Sequence, residues 1–228
     1  MSIIYVDIET LPASDEDILN GIKSNLKAPS NYKDPEKIAS YIEDNLDKKV
    51  RDTALSGLFG QVLCIGYAVD DGDVDFFYAD GEVHGESQIL SAFRRVCCDG
   101  SVSQFDFCQN VLVGHNILDF DAPFLSQRMM INGLPPLFRH HTKPWDMSID
   151  DTMTMFACGK REHYSLENLC KAFSVESPKG EITGANVYDY WLEGEHEKIA
   201  EYCKRDVEAT RSVYKAMTQQ LTDVKAVA

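Results

Sequence analysis

Apolar runs rich in β-branched residues constrain the fold of this chain more than any other feature. The run at residues 3–8, Ile-Ile-Tyr-Val-Asp-Ile, predicts a strand buried on both faces of a sheet. Two further strands are predicted at Gln61–Val69 and Val74–Tyr78, because an Asp-Asp-Gly-Asp turn at residues 70–73 separates them. We therefore expect the first strands of the chain to pair as a meander.

Beyond residue 85, strand patterns alternate with helical patterns. Consecutive strands followed by such an alternation are typical of an α/β fold with a mixed sheet flanked by helices. We predict one domain over residues 1–228, with a mostly helical insertion at residues 11–60 after the first strand. The alternating elements are a helix over residues 86–98, a strand at Val111–Gly114, a helix that begins at Asp121, a strand around Trp145–Ile149, a helix capped by Ser165 and a long helix over residues 195–220.

The charge of the chain excludes two classes of protein. Lys and Arg number 22 against 37 Asp and Glu, which gives a formal net charge of −15. This balance excludes a basic protein that coats nucleic-acid phosphates and a polybasic membrane anchor. We expect no membrane partner, because no apolar run reaches the roughly 18–20 residues that span a bilayer. The start of the chain also lacks the basic segment of a signal peptide.

The cysteines point to a reducing compartment. Their number is seven, and no Cys-x-x-Cys pair occurs among them. A chain of this length does not need disulfides to stabilise its core. We therefore expect reduced thiols in a cytoplasmic protein, several of them in the hydrophobic core.

Two carboxylates close the apolar first strand. Because side chains alternate along a strand, Asp7 and Glu9 share a face with Ile3 and Tyr5. Burying two carboxylates of like charge is costly unless something positive lies between them. The pattern leaves two interpretations: the strand ends and both side chains face water, or the pair holds a cation.

The last predicted helix carries a similar break. Its apolar stripe includes Cys203 and Val207, and Asp206 falls within that stripe. Tyr202 precedes Asp206 by four residues, so both side chains can lie on one side of the helix. Arg205 or a neighbouring helix end could neutralise Asp206, so the spacing alone also fits a structural role.

A third polar segment, residues 114–121, follows a predicted strand at the end where α/β proteins collect their ligands. Asp121 precedes Pro123 at a predicted helix N-terminus, whose dipole favours the ionised carboxylate. Taken alone, Asp121 could be an ordinary N-cap and Asn116 an ordinary turn residue.

Together the three segments supply four carboxylates and a tyrosine: Asp7, Glu9, Asp121, Asp206 and Tyr202. Such oxygen ligands suit the hard cations Mg²⁺ and Mn²⁺. Two such ions about 4 Å apart catalyse phosphodiester hydrolysis. They also bring positive charge to an acidic protein at the point where a phosphate would bind. We therefore expect two divalent cations, Mg²⁺ or Mn²⁺, as cofactors.

The same residues resemble the three exonuclease motifs of the DEDD superfamily, in the order in which that family has them. The segments are Asp7-Ile8-Glu9-Thr10, Asn116-x-x-x-Phe120-Asp121 and Tyr202-x-x-x-Asp206, and the tyrosine is typical of the DEDDy branch. Residues 165–170, 178–184 and 202–210 also resemble stand-alone exonucleases of bacteria and phages that are related to the proofreading domain of B-family DNA polymerases. The resemblance implies a ribonuclease H-like fold and 3′→5′ release of nucleoside 5′-monophosphates in a bacterial or phage-infected cytosol.

The resemblance also implies a role for each motif residue. Asp7 would bridge both cations, while Glu9 and Asp206 would complete the site of the ion that activates water. Asp121 would hold the second ion, and Tyr202 would orient the attacking water. The substrate contacts would come from backbone groups of Thr10 and Leu11 and from Asn116 and Phe120, to which we add Lys179, a candidate phosphate contact in a Gly/Pro loop.

Three hypotheses on function follow from these observations. The leading one is a metal-dependent 3′→5′ exodeoxyribonuclease that prefers the single-stranded 3′ end of DNA. The second is the same chemistry on RNA, because selection depends on how a 2′-hydroxyl fits the pocket. The third is a non-catalytic docking module in a replication or repair complex. The insertion at residues 11–60 could clamp DNA or bind a protein partner, and Phe59, Tyr164 and Tyr188 could stack bases or belong to the core.

Overall fold

A single mixed sheet forms the centre of the molecule. The computed structural model describes residues 1–79, 85–98, 100, 107–138, 148–178 and 180–226, with side chains to residue 218. The described strands are β1 (Ile3–Leu11), β2 (Gln61–Val69), β3 (Asp75–Tyr78), β4 (Val111–Gly114) and β5 (Ile149–Asp151). They lie in the order β3-β2-β1-β4-β5.

The pairing of the strands confirms the predicted meander and mixed sheet. β1 pairs antiparallel with β2, and β2 pairs antiparallel with β3. On the other side of β1, β4 and then β5 are added in parallel. β1 therefore lies in the middle of the sheet, with its carboxyl end beside the carboxyl ends of β4 and β5, where α/β folds place their ligand sites.

Helices cover both faces of this sheet. Two six-residue helices, α5 and α7, are absent from the sequence-based expectation because their apolar patterns are too short to register as periodic. The predicted strand around Trp145–Ile149 begins at Ile149 in the structure, and residues 139–147 lie outside the described residues. The described helices are α1 (Glu16–Asn25), α2 (Pro35–Arg51), α3 (Glu86–Cys97), α4 (Asp121–Ile131), α5 (Thr152–Ala157), α6 (Leu166–Phe173), α7 (Val187–Leu192) and α8 (His196–Ala226).

The insertion between β1 and β2 is helical, as predicted. Asp15 and Asp34 cap α1 and α2 by accepting hydrogen bonds from first-turn N–H groups, and Pro35 occupies the first position of α2. Neither helix contains a buried residue. The insertion is therefore a peripheral layer, which a 3₁₀ turn at Asp52–Leu55 connects to β2.

Alternation along β1 divides its side chains between two layers. Ile4, Val6 and Ile8 belong to the main core cluster, which α3 and α4 complete. Tyr5 points to the opposite face, where it packs with Val207 of α8. Asp7 and Glu9 share this second face with Tyr5 because strand side chains alternate. The sheet therefore directs both carboxylates towards α8.

The structure shows where the cysteines lie and how apolar the helices are. All seven cysteines are free thiols, and six are buried, which confirms that most of them belong to the core. Among the helices that the structure describes, none is both long and apolar enough to cross a bilayer.

Gly66 allows α8 to lie close to the sheet. It pairs with Asp7 across the β1–β2 ladder. A Cβ atom added at Gly66 would lie 2.9 Å from Sγ of Cys203 and 3.0 Å from Cγ2 of Val207. We expect Gly66→Ala to lower the free energy of unfolding by ~1–3 kcal/mol, because α8 must move away from β1 and β2. Thermal unfolding followed by circular dichroism measures this loss.

Gly21 in α1 provides the matched control for this prediction. A Cβ atom added there meets no atom within 4 Å. Gly21→Ala should keep or raise the melting temperature, because alanine is the better helix former. Equal melting temperatures for Gly66→Ala and the unmodified protein would show that α8 does not depend on the missing side chain.

Candidate active site

β1 contributes two carboxylates to a concave site beneath α8. Asp7 is half-buried, and only 6% of Glu9 is exposed. The register between β1 and β2 shifts directly after Glu9, since Glu9 pairs with Cys64 and Thr10 with Val62. A bulge of this kind bends the sheet locally and redirects the side chains beside it. The strand therefore presents its two carboxylates at an irregular end of the sheet.

α8 brings three polar side chains to the same place. The Cys203 thiol donates towards Asp7, with Sγ 3.4 Å from the carbonyl oxygen and 3.6 Å from Oδ2. Tyr202 and Asp206 lie on the adjacent turns and form a side-chain hydrogen bond with each other. The predicted stripe on the last helix is thus confirmed as a packed face, and Cys203 is a member of the site that the sequence did not indicate.

Asp121 enters the site from the side of β4. It is the first residue of α4, and only 4% of it is exposed. Its Oδ1 accepts a hydrogen bond of 3.1 Å from the N–H of Ile8, the residue between Asp7 and Glu9. Asp121 is not an N-cap, since Phe120 occupies that position. The structure therefore joins all four predicted carboxylates around one short segment of β1.

The buried carboxylates raise one another's proton affinity. Burial raises the pKa of Asp7 and Glu9 well above the ordinary range, and the charge of Asp206 raises both further. Burial also raises the pKa of Asp206 to about 6, although a hydrogen bond from Tyr202 opposes the shift. Clustered carboxylates that are this costly to ionise suit a site that a cation completes.

Asp121 shows that burial outweighs the effect of the helix N-terminus. The dipole of α4 was expected to favour its ionised form. Burial instead raises the pKa of Asp121 to about 7, although hydrogen bonds from its own N–H and from that of Ile8 lower it. The carboxyl group is therefore partly protonated near neutral pH in the metal-free protein.

This shift predicts how the stability of the metal-free protein depends on pH. In the unfolded chain Asp121 titrates near pH 3.9, so the folded state binds more protons between that value and about pH 7. The stability that Asp121 contributes is therefore complete at low pH and is lost as the pH rises. We therefore expect the free energy of unfolding of Asp121→Asn, relative to that of the unmodified protein, to rise by more than about 1 kcal/mol as the pH increases from 4 to 7.

Melting temperatures measured in the presence of a chelator test this expectation across that pH range. Asp73→Asn is the control, because Asp73 is exposed in the turn between β2 and β3. It shows the effect of removing an exposed carboxylate, against which the pH dependence of Asp121→Asn is compared. A constant difference for Asp121→Asn would contradict the raised pKa.

Asn116 and Asp151 shape the segment that leads to Asp121. Asn116 has a φ of 63°, the left-handed conformation that asparagine tolerates better than most residues. Oδ1 of Asp151 accepts its N–H at 3.0 Å, and Oδ2 accepts the N–H of Leu118 at 3.1 Å. Oδ1 also caps α5 by accepting the N–H of Met153 at 2.9 Å. Asp151, which is only 2% exposed, thus fixes the turn before Asp121.

Asp151 is the main residue that sequence reasoning missed. An aspartate at the end of a strand, followed by a helical segment, is a helix-capping pattern and could have marked it. The neighbouring His115 supports the same turn: its Nδ1 lies 3.0 Å from the hydroxyl of Thr152, and burial lowers its pKa.

The predicted substrate-contacting residues lie around the same site. The hydroxyl of Thr10 donates to the carbonyl of Ala54 at 2.8 Å, and Leu11 packs against the cluster around Leu63. The ring of Phe120 lies 5.5 Å from that of Phe124. Lys179 lies outside the described residues. Along the chain, Thr10 and Leu11 directly follow Glu9 on β1. Asn116 and Phe120 lie in the segment that leads to Asp121.

One edge of β1 is open beside the carboxylates. Within the described residues, β4 pairs only with Ile3–Tyr5 of β1. None of the described strands pairs with this edge from Val6 to Leu11, and the N–H of Ile8 uses it to reach Asp121. Backbone groups further along this edge can therefore meet a ligand.

A cleft of about 290 Å³ gives access to the carboxylates from solvent. Its walls combine one residue of β1 with residues of α6, α8 and the segment before α7. The lining residues are Asp7, His115, Leu166, Glu167, Pro178, Ile182, Thr183, Tyr202 and Asp206.

The donor set fits a hard divalent cation. Carboxylate oxygens of Asp7 and Glu9 and the Sγ atom of Cys203 all lie within 4.8 Å of one another. Asp206 and Asp121 raise the pKa of both carboxylates through their charges, so they lie close enough to share the site. Together the carboxylates form an acidic cluster that could hold a metal ion.

The fold and the site together define an α/β protein of the ribonuclease H-like type. A solved structure of the family B DNA polymerase from the hyperthermophilic archaeon Pyrobaculum calidifontis matches 96% of this chain with a TM-score of 0.60 and 16% sequence identity. The chain spans only 24% of that polymerase, and the likeness concerns the fold alone. None of the curated proteins matches the chain.

A family model identifies the chain more closely. It covers residues 84–226 and describes a predicted 3′-5′ exonuclease related to the exonuclease domain of PolB. The chain belongs to this family. The family confirms the resemblance to polymerase-related exonucleases and supports nuclease activity on nucleic acid. The whole insertion and the first two carboxylates, Asp7 and Glu9, precede the matched residues.

Proposed function

We propose that the protein is a metal-dependent 3′→5′ exonuclease that removes nucleoside 5′-monophosphates from the 3′ end of DNA, with a preference for single strands. One observation carries the proposal: carboxylates from three distant segments, Asp7 and Glu9, Asp121, and Asp206, converge on one short stretch of β1. Membership in the exonuclease family supports the same activity.

Two divalent cations, Mg²⁺ or Mn²⁺, are the proposed cofactors. Asp7, which interacts with the other three carboxylates, would contact both ions. Glu9 and Asp206 would complete the site of one ion, and Asp121 that of the other. When bound, the ions lower the pKa of an attacking water and stabilise negative charge on the phosphate. The raised pKa values of the carboxylates are what such a site shows without its cations.

Tyr202 is the proposed positioning group for the attacking water. Burial raises the pKa of Tyr202, so the hydroxyl keeps its proton at neutral pH. It already forms a hydrogen bond with Asp206 and lines the cleft beside Asp7. A hydroxyl fixed at this point can hold a water molecule in line with a phosphate without taking its proton.

The open edge of β1 is the proposed contact for the 3′-terminal nucleotide. Backbone groups of Thr10 and Leu11 lie on this strand beyond the residues that β4 pairs. Asn116 and Phe120 would hold the strand near the scissile phosphate, and Lys179 would contact a phosphate. We place this activity at DNA ends in the cytoplasm, with a replication or repair protein as partner.

Product analysis of a 5′-labelled single-stranded oligodeoxynucleotide tests the proposal. With Mg²⁺, the labelled strand should become shorter by one nucleotide at a time. Chromatography of the products should show nucleoside 5′-monophosphates. Matched RNA and fully paired DNA should be degraded more slowly. Internal fragments, 3′-monophosphates or undiminished activity in a chelator would contradict the mechanism, and faster degradation of RNA would contradict the choice of DNA.

A further inference from the structure

A turn at the end of the insertion exposes three large apolar side chains within five residues. Leu55 is 71% exposed, Leu58 63% and Phe59 41%. Single exposed apolar residues need no explanation, but three within one five-residue turn make this turn a candidate interaction site. We call residues 55–59 the apolar turn.

The apolar turn is held in place by its backbone. The N–H groups of Phe59 and Gly60 both donate to the carbonyl of Ser56, at 3.0 and 2.7 Å. Arg128 of α4 donates to the carbonyl of Gly57 at 3.4 Å. A Cβ atom added to Gly57 would lie 2.3 Å from Oε1 of Gln127. The leucines are therefore presented to solvent by a fixed scaffold.

This scaffold adjoins the proposed contact for the 3′-terminal nucleotide. The hydroxyl of Thr10 donates to Ala54, the residue before the apolar turn, at 2.8 Å. The N–H of Ala13 donates to the hydroxyl of Thr53 at 2.8 Å. Exposed apolar groups thus continue directly from the open edge of β1.

A pocket of about 280 Å³ separates the apolar turn from the first residues of α4. Its volume exceeds that of a nucleobase, and Phe120, the residue before Asp121, forms part of its wall. The lining residues are Leu55, Ser56, Gly57, Asp119, Phe120, Pro123, Phe124 and Gln127.

Free cations lie close by in sequence. Lys48 and Lys49, in the last turn of α2, are exposed and form no ion pair with any residue that the structure describes. Their neighbour Arg51 is paired with Asp189 of α7 at 2.8 Å, which ties the end of α2 to α7. In a chain with a net charge of −15, two exposed lysines that precede an apolar turn by only a few residues suit a polyanion that also carries flat apolar groups.

We propose that the apolar turn is a stacking surface for the unpaired bases that precede the 3′-terminal nucleotide of a DNA strand. The inference rests on the proposed exonuclease function and deepens it. Base faces are available for stacking only in a single strand. The turn therefore selects unpaired 3′ ends, and it does so with residues that lie outside the part of the chain that the exonuclease family model covers.

The test combines a double variant with substrates that lack the proposed contact. The variant is Leu55→Ser with Leu58→Ser, which removes exposed side chains only. The substrates are a single-stranded oligodeoxynucleotide and the same strand with abasic sites at the two positions before the 3′ nucleotide. A third substrate, the p-nitrophenyl ester of thymidine 5′-monophosphate, has no preceding base and reports on hydrolysis alone.

We expect the double variant to lose about tenfold in kcat/KM on the normal strand, because the bases lose the apolar surface of two leucine side chains. The unmodified protein should lose about as much on the abasic strand, whereas the variant should not distinguish the two strands. Both should hydrolyse the ester equally. A matched control, Met130→Ser with Ile131→Ser, removes two exposed apolar residues at the far end of α4 and should leave all rates unchanged.

The failures of the two proposals are distinguishable. If the unmodified protein is active but the double variant cleaves the normal strand at the same rate, or keeps its sensitivity to abasic sites, the stacking surface is wrong. The apolar turn would then be a surface for a protein. If the unmodified protein cleaves neither DNA nor the ester with Mg²⁺, the exonuclease function is wrong as well.

Discussion

Replacing Asp7 with asparagine should lower Mg²⁺-dependent release of nucleotides by at least about a thousandfold. Asp7 lies close enough to Glu9, Asp121 and Asp206 for their charges to raise its pKa. It would contact both cations, and an amide carries no charge to hold them. The fold should survive, because asparagine can still accept from the Cys203 thiol. Burial raises the pKa of Asp7, so the variant should melt at the same or a higher temperature without metal.

Rates of nucleotide release and melting curves in a chelator measure both parts of this prediction. Asp73→Asn again provides an exposed carboxylate as control, and its rate should equal that of the unmodified protein. A rate for Asp7→Asn within tenfold of the unmodified protein would show that the carboxylate cluster is not the catalytic centre.

Asp151→Ala should produce the second-largest loss, although Asp151 is not expected to touch metal or substrate. The change removes the acceptor of the N–H groups of Asn116, Leu118 and Met153. Unsatisfied buried donors cost about 1–3 kcal/mol each, so the turn before Asp121 should rearrange. We expect nucleotide release to fall about tenfold to a hundredfold, since small displacements of a catalytic group have effects of this size.

A comparison with another helix cap separates positioning from stability in this prediction. Asp15 caps α1 by accepting the N–H groups of Asp17 and Ile18 at 2.9 and 3.1 Å. Asp15→Ala should lose about 1 kcal/mol of stability without loss of activity. For Asp151→Ala, kcat should fall at a temperature where the protein is fully folded, and the Mn²⁺ concentration needed for half-maximal rate should rise. A loss of stability with unchanged kcat and metal requirement would assign Asp151 a structural role only.

The sequence was sufficient for the parts of the fold that depend on local periodicity. Local patterns specify single elements: the β-branched run predicts β1, and the apolar stripe predicts α8 and its buried face. The turn at residues 70–73 marks the boundary between two strands. Because side chains alternate along a strand, Asp7 and Glu9 could be placed on one side of β1. The three motifs then gave the order in which distant carboxylates meet, which spacing within any one element cannot supply.

The residues that arrange the site depend on tertiary contacts and were not predictable in the same way. In the sequence, Cys203 is indistinguishable from the other apolar residues of the α8 stripe. Its contact with Asp7 forms only when α8 packs on β1. Gly66 lies inside β2 and not in a turn, so no local pattern indicates its role. It allows α8 to approach the sheet, which is a tertiary contact. Asp151 receives hydrogen bonds from residues 33 and 35 positions away. Such contacts exist only in the folded chain.

Crystals soaked in Mn²⁺ and measured at the manganese absorption edge test the central proposal most directly. The anomalous difference map should show two peaks about 4 Å apart, both at the carboxylates of Asp7, Glu9, Asp121 and Asp206. A crystal with Mn²⁺ only at other carboxylates, or with no anomalous peak at this end of β1, would contradict a two-metal exonuclease.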